Sequence, residues 1–121
     1  MTKKIILKII ILLQIIIFSC TSIAALPEEP EPPIEHTLKS LSIYEAQLVS
    51  YALYLETFLI RTKEKLGNKN FPSFTLLEAD VLRDDHTLEA VKENIMHLKR
   101  YINNIKPIAI SVYKKYSKLK K

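Results

Sequence analysis

The sequence predicts an all-α protein: an antiparallel helical hairpin or a small three- to four-helix bundle. Three observations predict it. Apolar residues recur at three-four spacing over two long stretches, Leu41 to Phe58 and Leu88 to Ile105. Glycine occurs once, at Gly67, which disfavours turn-rich β-architectures. The prolines cluster between Pro27 and Pro33, outside both stretches, apart from Pro72 and Pro107.

The chain opens with the cationic segment Met1-Thr2-Lys3-Lys4, and an apolar run follows from Ile5 to Phe18, broken by Lys8 and Gln14. A cationic start, a greasy stretch of roughly 7–15 residues and a small residue at the cut describe an export signal. A transmembrane anchor needs about 20 apolar residues, and Ile9 to Phe18 is ten residues long, Gln14 among them. Residues 1–19 are therefore expected to be a cleaved signal peptide. Cys20 stands just past it, and a chain with one cysteine cannot close an internal disulfide.

Residues 20–36 read as a tether. Pro27, Pro30, Pro32 and Pro33 alternate with glutamates. Proline fixes φ and removes a donor, and the like charges repel, so a disordered, extended segment is expected.

Residues 37–121 read as the helical domain. Helix one is expected from Thr37 to Leu66, capped by Thr37, or by Ser42 with Glu45 at capping-box spacing. Leu41, Tyr44, Leu48, Tyr51, Leu55 and Phe58 form one apolar stripe, and Ala46, Val49, Leu53 and Ile60 form a second. A helix apolar on most of its circumference is either central or meets another molecule. Gly67-Asn68 is a stop, and 68–73 a loop. A second helix is expected near Thr75, with Glu78 at capping-box spacing and Phe74, Leu77 and Val81 facing inward. Asp84 or Asp85 is a candidate cap for the next helix. Leu88, Val91, Ile95, Leu98, Ile102 and Ile105 hold a strict register, continued by Ala109, Val112, Tyr116 and Leu119. Backwards, it places Asp84 at an inner position. Pro107 is expected to kink or break that helix near Lys106, with a terminal helix to about Lys118. Such spacing implies shallow, coiled-coil-like packing.

The formal charge of +5 includes Lys3, Lys4 and Lys8, which leave with the signal. The remainder is polar along the chain. Glu28, Glu29, Glu31 and Glu35 lie near Cys20, whereas eight cations and no anion follow from Lys99. Lys114, Lys115, Lys118, Lys120 and Lys121 are the candidate polyanion contacts. A solvated helix end, with cations opposite the dipole, is the plainer account.

No enzyme chemistry is expected. One glycine cannot make a phosphate-binding loop. His36, His86 and His97 are dispersed, with neither the number nor the spacing of a metal site. His97 lies four residues after Glu93, the spacing of a helix-face ion pair. No cofactor is expected beyond covalent lipid.

Ile17-Phe18-Ser19-Cys20 resembles a lipobox, the signal for lipid attachment to cysteine. Ile17 and Ser19 fit the usual pattern and Phe18 departs from it, as in the looser spirochaetal version. The Lys- and Ile-rich signal, the tether and the Lys-rich helical body together resemble the small plasmid-encoded lipoproteins of the Lyme-disease spirochaetes (Borrelia), in particular the orf-D-like group. The resemblance implies a diacylglyceryl or acyl group such as palmitate on Cys20 and an outer membrane, surface-exposed location. The implied partners are the bilayer, a host protein or a sulfated polysaccharide. Nucleic acid is not expected. The second stripe of helix one makes a homodimer, or an assembly role on the periplasmic side, the alternative.

Overall fold

The computed structural model describes residues 26–67 and 70–119, with side chains to residue 115. Helix α1 spans Leu38–Leu66 and α2 spans Leu88–Leu119, with a single 3₁₀ turn at Ala79–Val81 between them. No strand occurs among the described residues.

Local chemistry sets the helix limits. Thr37 caps α1, its hydroxyl accepting the Ser40 N–H at 3.1 Å, and Ser42 lies inside the helix. Gly67, at φ 79°, ends α1 in a backbone region that glycine enters without steric cost. Its N–H bonds the Lys63 carbonyl at 2.9 Å. Thr87, rather than either aspartate, caps α2 by accepting the Ala90 N–H at 3.1 Å. Asp85 is engaged instead by Arg83, at 2.7 Å. Asp84 is exposed, because the helix begins after it.

The core follows the predicted stripes. Tyr44, Leu48, Tyr51, Leu55 and Leu59 of α1 pack with Leu98, Ile102, Ile105, Ala109 and Val112 of α2. α2 passes through Pro107 without a break. Proline removes one intrahelical bond, and Asn103 and Pro107 are both exposed, so the carbonyl that loses its partner faces water. Ile105 and Ala109 on the opposite side stay buried and hold the helix in register.

The order of contacts gives the direction of the pair. Glu56 meets Tyr101. Phe58, two residues later, meets Tyr113, twelve residues later, with ring centroids 6.5 Å apart. Later residues on α1 thus meet later residues on α2, whereas an antiparallel pair would reverse that order. The two packed helices therefore run parallel, with both N-termini at one end, where the sequence had suggested an antiparallel hairpin. Leu41, Ala90 and Val91, near the two helix starts, are buried outside the main cluster. A parallel pair needs a return segment as long as a helix. α1 is about 43 Å long at ~1.5 Å per residue, and residues 67–87 reach that length easily when extended at ~3.3 Å each.

That return segment replaces the helix expected near Thr75. Residues 71–78 carry no helix. The Leu77 N–H bonds the Glu56 carboxylate, and Tyr101 Oη lies 2.8 Å from the Thr75 carbonyl. Backbone groups that a helix would pair internally are thus paired with α1 and α2. Phe71, Phe74, Leu77 and Leu82 cover the core cluster, whereas Val81 is exposed. We call this segment the strap.

The proline-rich stretch is also more ordered than its composition suggests. Leu26 packs against the core cluster, and Glu29 meets Lys106 at 3.4 Å. Pro30 and Glu31 line a groove with Ile43, Ala46, Gln47 and Ser50. From Leu26 onward this stretch therefore lies along the helices, because burial of Leu26 and the ion pair offset the lost chain entropy.

Candidate functional site

Three polar clusters pin the strap and the helices together. Glu56 is a buried carboxylate on α1, serving the Leu77 N–H and Tyr101 Oη, the latter at 2.7 Å. Asn94 on α2 is buried and acts like a strand partner. Its Oδ1 accepts the Arg83 N–H at 2.8 Å, and its Nδ2 donates to the Arg83 carbonyl at 2.8 Å. The Arg83 guanidinium then bridges Asp85 and Glu93. Glu93 is therefore engaged by Arg83 rather than by the expected His97. These clusters bind segments of the chain to one another.

Burial, followed by the hydrogen bond and charge of Glu56, raises the Tyr101 phenol well above its ordinary range. Burial, then the charge of Glu29, raises Tyr51 in the same direction. The neutral phenols are thus favoured by folding. Their contribution is complete below the unfolded tyrosine value of about 10 and is lost as pH rises past it. Denaturant midpoints measured at rising pH should fall above about pH 10, and Tyr101→Phe should make that fall shallower. An unchanged alkaline slope in Tyr101→Phe would remove Tyr101 from the account.

The two stripes of α1 have different fates. The first is core, apart from the half-buried Phe58. In the second, only Val49 is half-buried; Ala46, Leu53 and Ile60 are exposed. α1 is therefore not a central helix. Ile43, Ala46, Ser50, Leu53, Thr57 and Ile60 form an uncharged strip at three-four spacing, with Ile43 53%, Leu53 49% and Ile60 39% exposed. The spacing in the sequence singles out Ala46, Leu53 and Ile60 of this strip but not Ile43, which the fold adds to it.

Of the α1 tyrosines, Tyr44 and Tyr51 belong to the core, and Tyr54 is half-buried. Lys114 and Lys115 are exposed on α2. The side chain of Lys118, and Lys120 and Lys121 altogether, lie outside the described residues, as do Cys20 and the signal segment. Among the described residues, no group of three or more His, Cys, Asp or Glu converges, and no helix is long and apolar enough to cross a membrane.

The chain is similar to the outer membrane lipoprotein BBA14 of Borreliella burgdorferi, 58% identical over 105 residues and covering 87% of each chain. The aligned share takes in most of the helical body, so the likeness is not confined to the signal. Residues 25–118 match the Borrelia orf-D family, a span that covers the strap, α1 and all but the last residue of α2. By that match and that identity, the chain belongs to the Borrelia orf-D family.

Proposed function

We propose that this outer-membrane lipoprotein is held by lipid on Cys20, is displayed at the cell surface, and binds a host or partner protein through the outer face of α1. The uncharged strip from Ile43 to Ile60 carries the reading. Large apolar side chains exposed together on a helix mark interaction surfaces, and here the opposite face of the same helix already forms the core. Labelled palmitate should enter the wild type and not Cys20→Ala. Protease added to intact cells should remove the helical body. Protection until the outer membrane is broken would defeat surface display.

The three-four spacing of the strip also favours a second reading, self-association in the manner of a coiled-coil seam. Sedimentation distinguishes the two. A wild type that stays monomeric with rising concentration supports a foreign partner. A dimer that Leu53→Glu dissociates, with its melting temperature kept, supports self-association. Leu53 is half-exposed, so its replacement should change stability by no more than about 0.5 kcal/mol.

A further inference from the structure

We infer that the shared C-terminal end of the two helices is the face that meets the membrane, and that its cations contact anionic lipid headgroups there. The inference rests on lipid attachment at Cys20.

By sequence, the basic end is the part of the chain furthest from the lipid. The fold reverses this. Thr37 marks the start of α1, and the stretch before it runs back along the helices. Glu31 and Pro30 lie beside Ile43 to Ser50, and Glu29 lies at the level of Lys106. Leu26, three residues earlier, packs against the core. At ~3.3 Å per residue it lies at most about 10 Å beyond Glu29 in the direction the stretch runs, toward the helix C-termini.

From Leu26, the six residues back to Cys20 span at most about 20 Å. The end of α2 at Leu119 is thirteen residues past Lys106, about 20 Å by helical rise. The lipid can therefore reach the C-terminal end. The start of α2 at Leu88 is eighteen residues before Lys106, about 27 Å in the other direction. That distance already exceeds the ~20 Å of the connecting residues, and any displacement of Leu26 toward the C-termini lengthens it.

Because the helices are parallel, the end near the lipid collects cations from both. Lys63 and Lys65 occupy the last turn of α1, and Lys114 and Lys115 are exposed on α2. Glu64 is the acidic residue among them. Glu29 is matched by Lys106, and Glu28 is exposed. Lys63 Nζ rests 6.0 Å from the Phe74 ring centroid, which holds one cation against the strap. A net positive face held within reach of a headgroup layer is attracted to anionic lipid over about a Debye length of 8 Å. A free polyanion in solution, such as a sulfated polysaccharide, would need this face turned outward.

The chain has no tryptophan, so a single introduced indole reports position. Leu66→Trp marks the end of α1 and Leu88→Trp the start of α2, at leucines already 42% and 40% exposed. The full acylated protein is placed on phosphatidylcholine vesicles containing phosphatidylglycerol and a headgroup-bound nitroxide quencher. Leu66→Trp should be quenched about threefold more than Leu88→Trp, since contact quenching is short-ranged. Added salt, or Lys63→Ala, Lys65→Ala, Lys114→Ala and Lys115→Ala together, should shrink that ratio toward one without loss of vesicle flotation.

Flotation with equal quenching, or with Leu88→Trp the more quenched, overturns the orientation alone. Failure of the acylated wild type to float overturns the anchor and the orientation with it. Elution of the same protein from immobilised heparin at high salt, with no quenching bias on vesicles, assigns the cations to a polysaccharide and also overturns the inference.

Discussion

Replacing Leu55 by alanine lowers the melting temperature of the helical body by about 10–30 °C. Leu55 is fully buried at the middle of α1, within the cluster formed with α2. A buried Leu→Ala change costs about 2–5 kcal/mol, from lost transfer energy and the cavity left behind, and for a domain of this size each kcal/mol is worth about 4–8 °C. The parallel pair has few ways to close such a hole, because both helices are tied to the strap by polar contacts as well as by packing. The comparison is Leu53→Ala, two residues away on the exposed strip, where the shift should stay within about 3 °C. Equal losses at both positions, in thermal melts followed by circular dichroism, would mean that α1 buries both stripes.

The second large effect is at Asn94. Asn94→Ala leaves the Arg83 N–H and carbonyl without the two bonds, each 2.8 Å long, that the amide makes. Arg83 is exposed, so the cost is the net worth of each bond, about 0.5–1.5 kcal/mol, and the loss of both should destabilise by about 1–3 kcal/mol. Asn94→Asp keeps the acceptor and removes the donor, and should fall between the two. The damage should start in the strap. Amide exchange at residues 82–83 should quicken in Asn94→Ala before exchange in α1 changes, because that segment has few other bonds to the body. Simultaneous acceleration throughout would show that strap and helices open as one unit.

Both sites bear on how much was legible in the sequence. Leu55 was: it lies on a three-four stripe, and burial of such a stripe is the cheapest way to remove apolar area from water. The boundaries of α1 were legible too, since Thr37 and Gly67 act on their own neighbours through a side-chain cap and a positive φ. Asn94 was not. It is a polar residue beside the apolar register of α2, and its partner is the backbone of Arg83, eleven positions away. Nothing in its spacing signals that contact. Glu56 carries no such signal either, because its partners Leu77 and Tyr101 come from the strap and from α2.

The expected helix near Thr75 failed on the same physics. Thr75 and Glu78 have the spacing of a capping box, and in isolation that signal is sound. Here the Leu77 N–H and the Thr75 carbonyl are taken by side chains of the two long helices. Of the kink or break expected at Pro107, the break does not occur, since one missing bond on a solvated face is small beside the burial of Ile105 and Ala109.

The sequence by itself determined the all-α class, the extent of α1, the register of α2, the core stripes and the resemblance to spirochaetal lipoproteins. These depend on residues within a few positions of one another, or on a signal at the chain's start. Only the tertiary structure decided that the helices run parallel, that the strap is extended, that the second stripe of α1 faces outward and that the stretch from Leu26 lies along the body. Direction and exposure are properties of contacts between segments far apart in the chain. A periodic stripe states that a face is apolar, and how far another segment covers it appears only when the segments are packed.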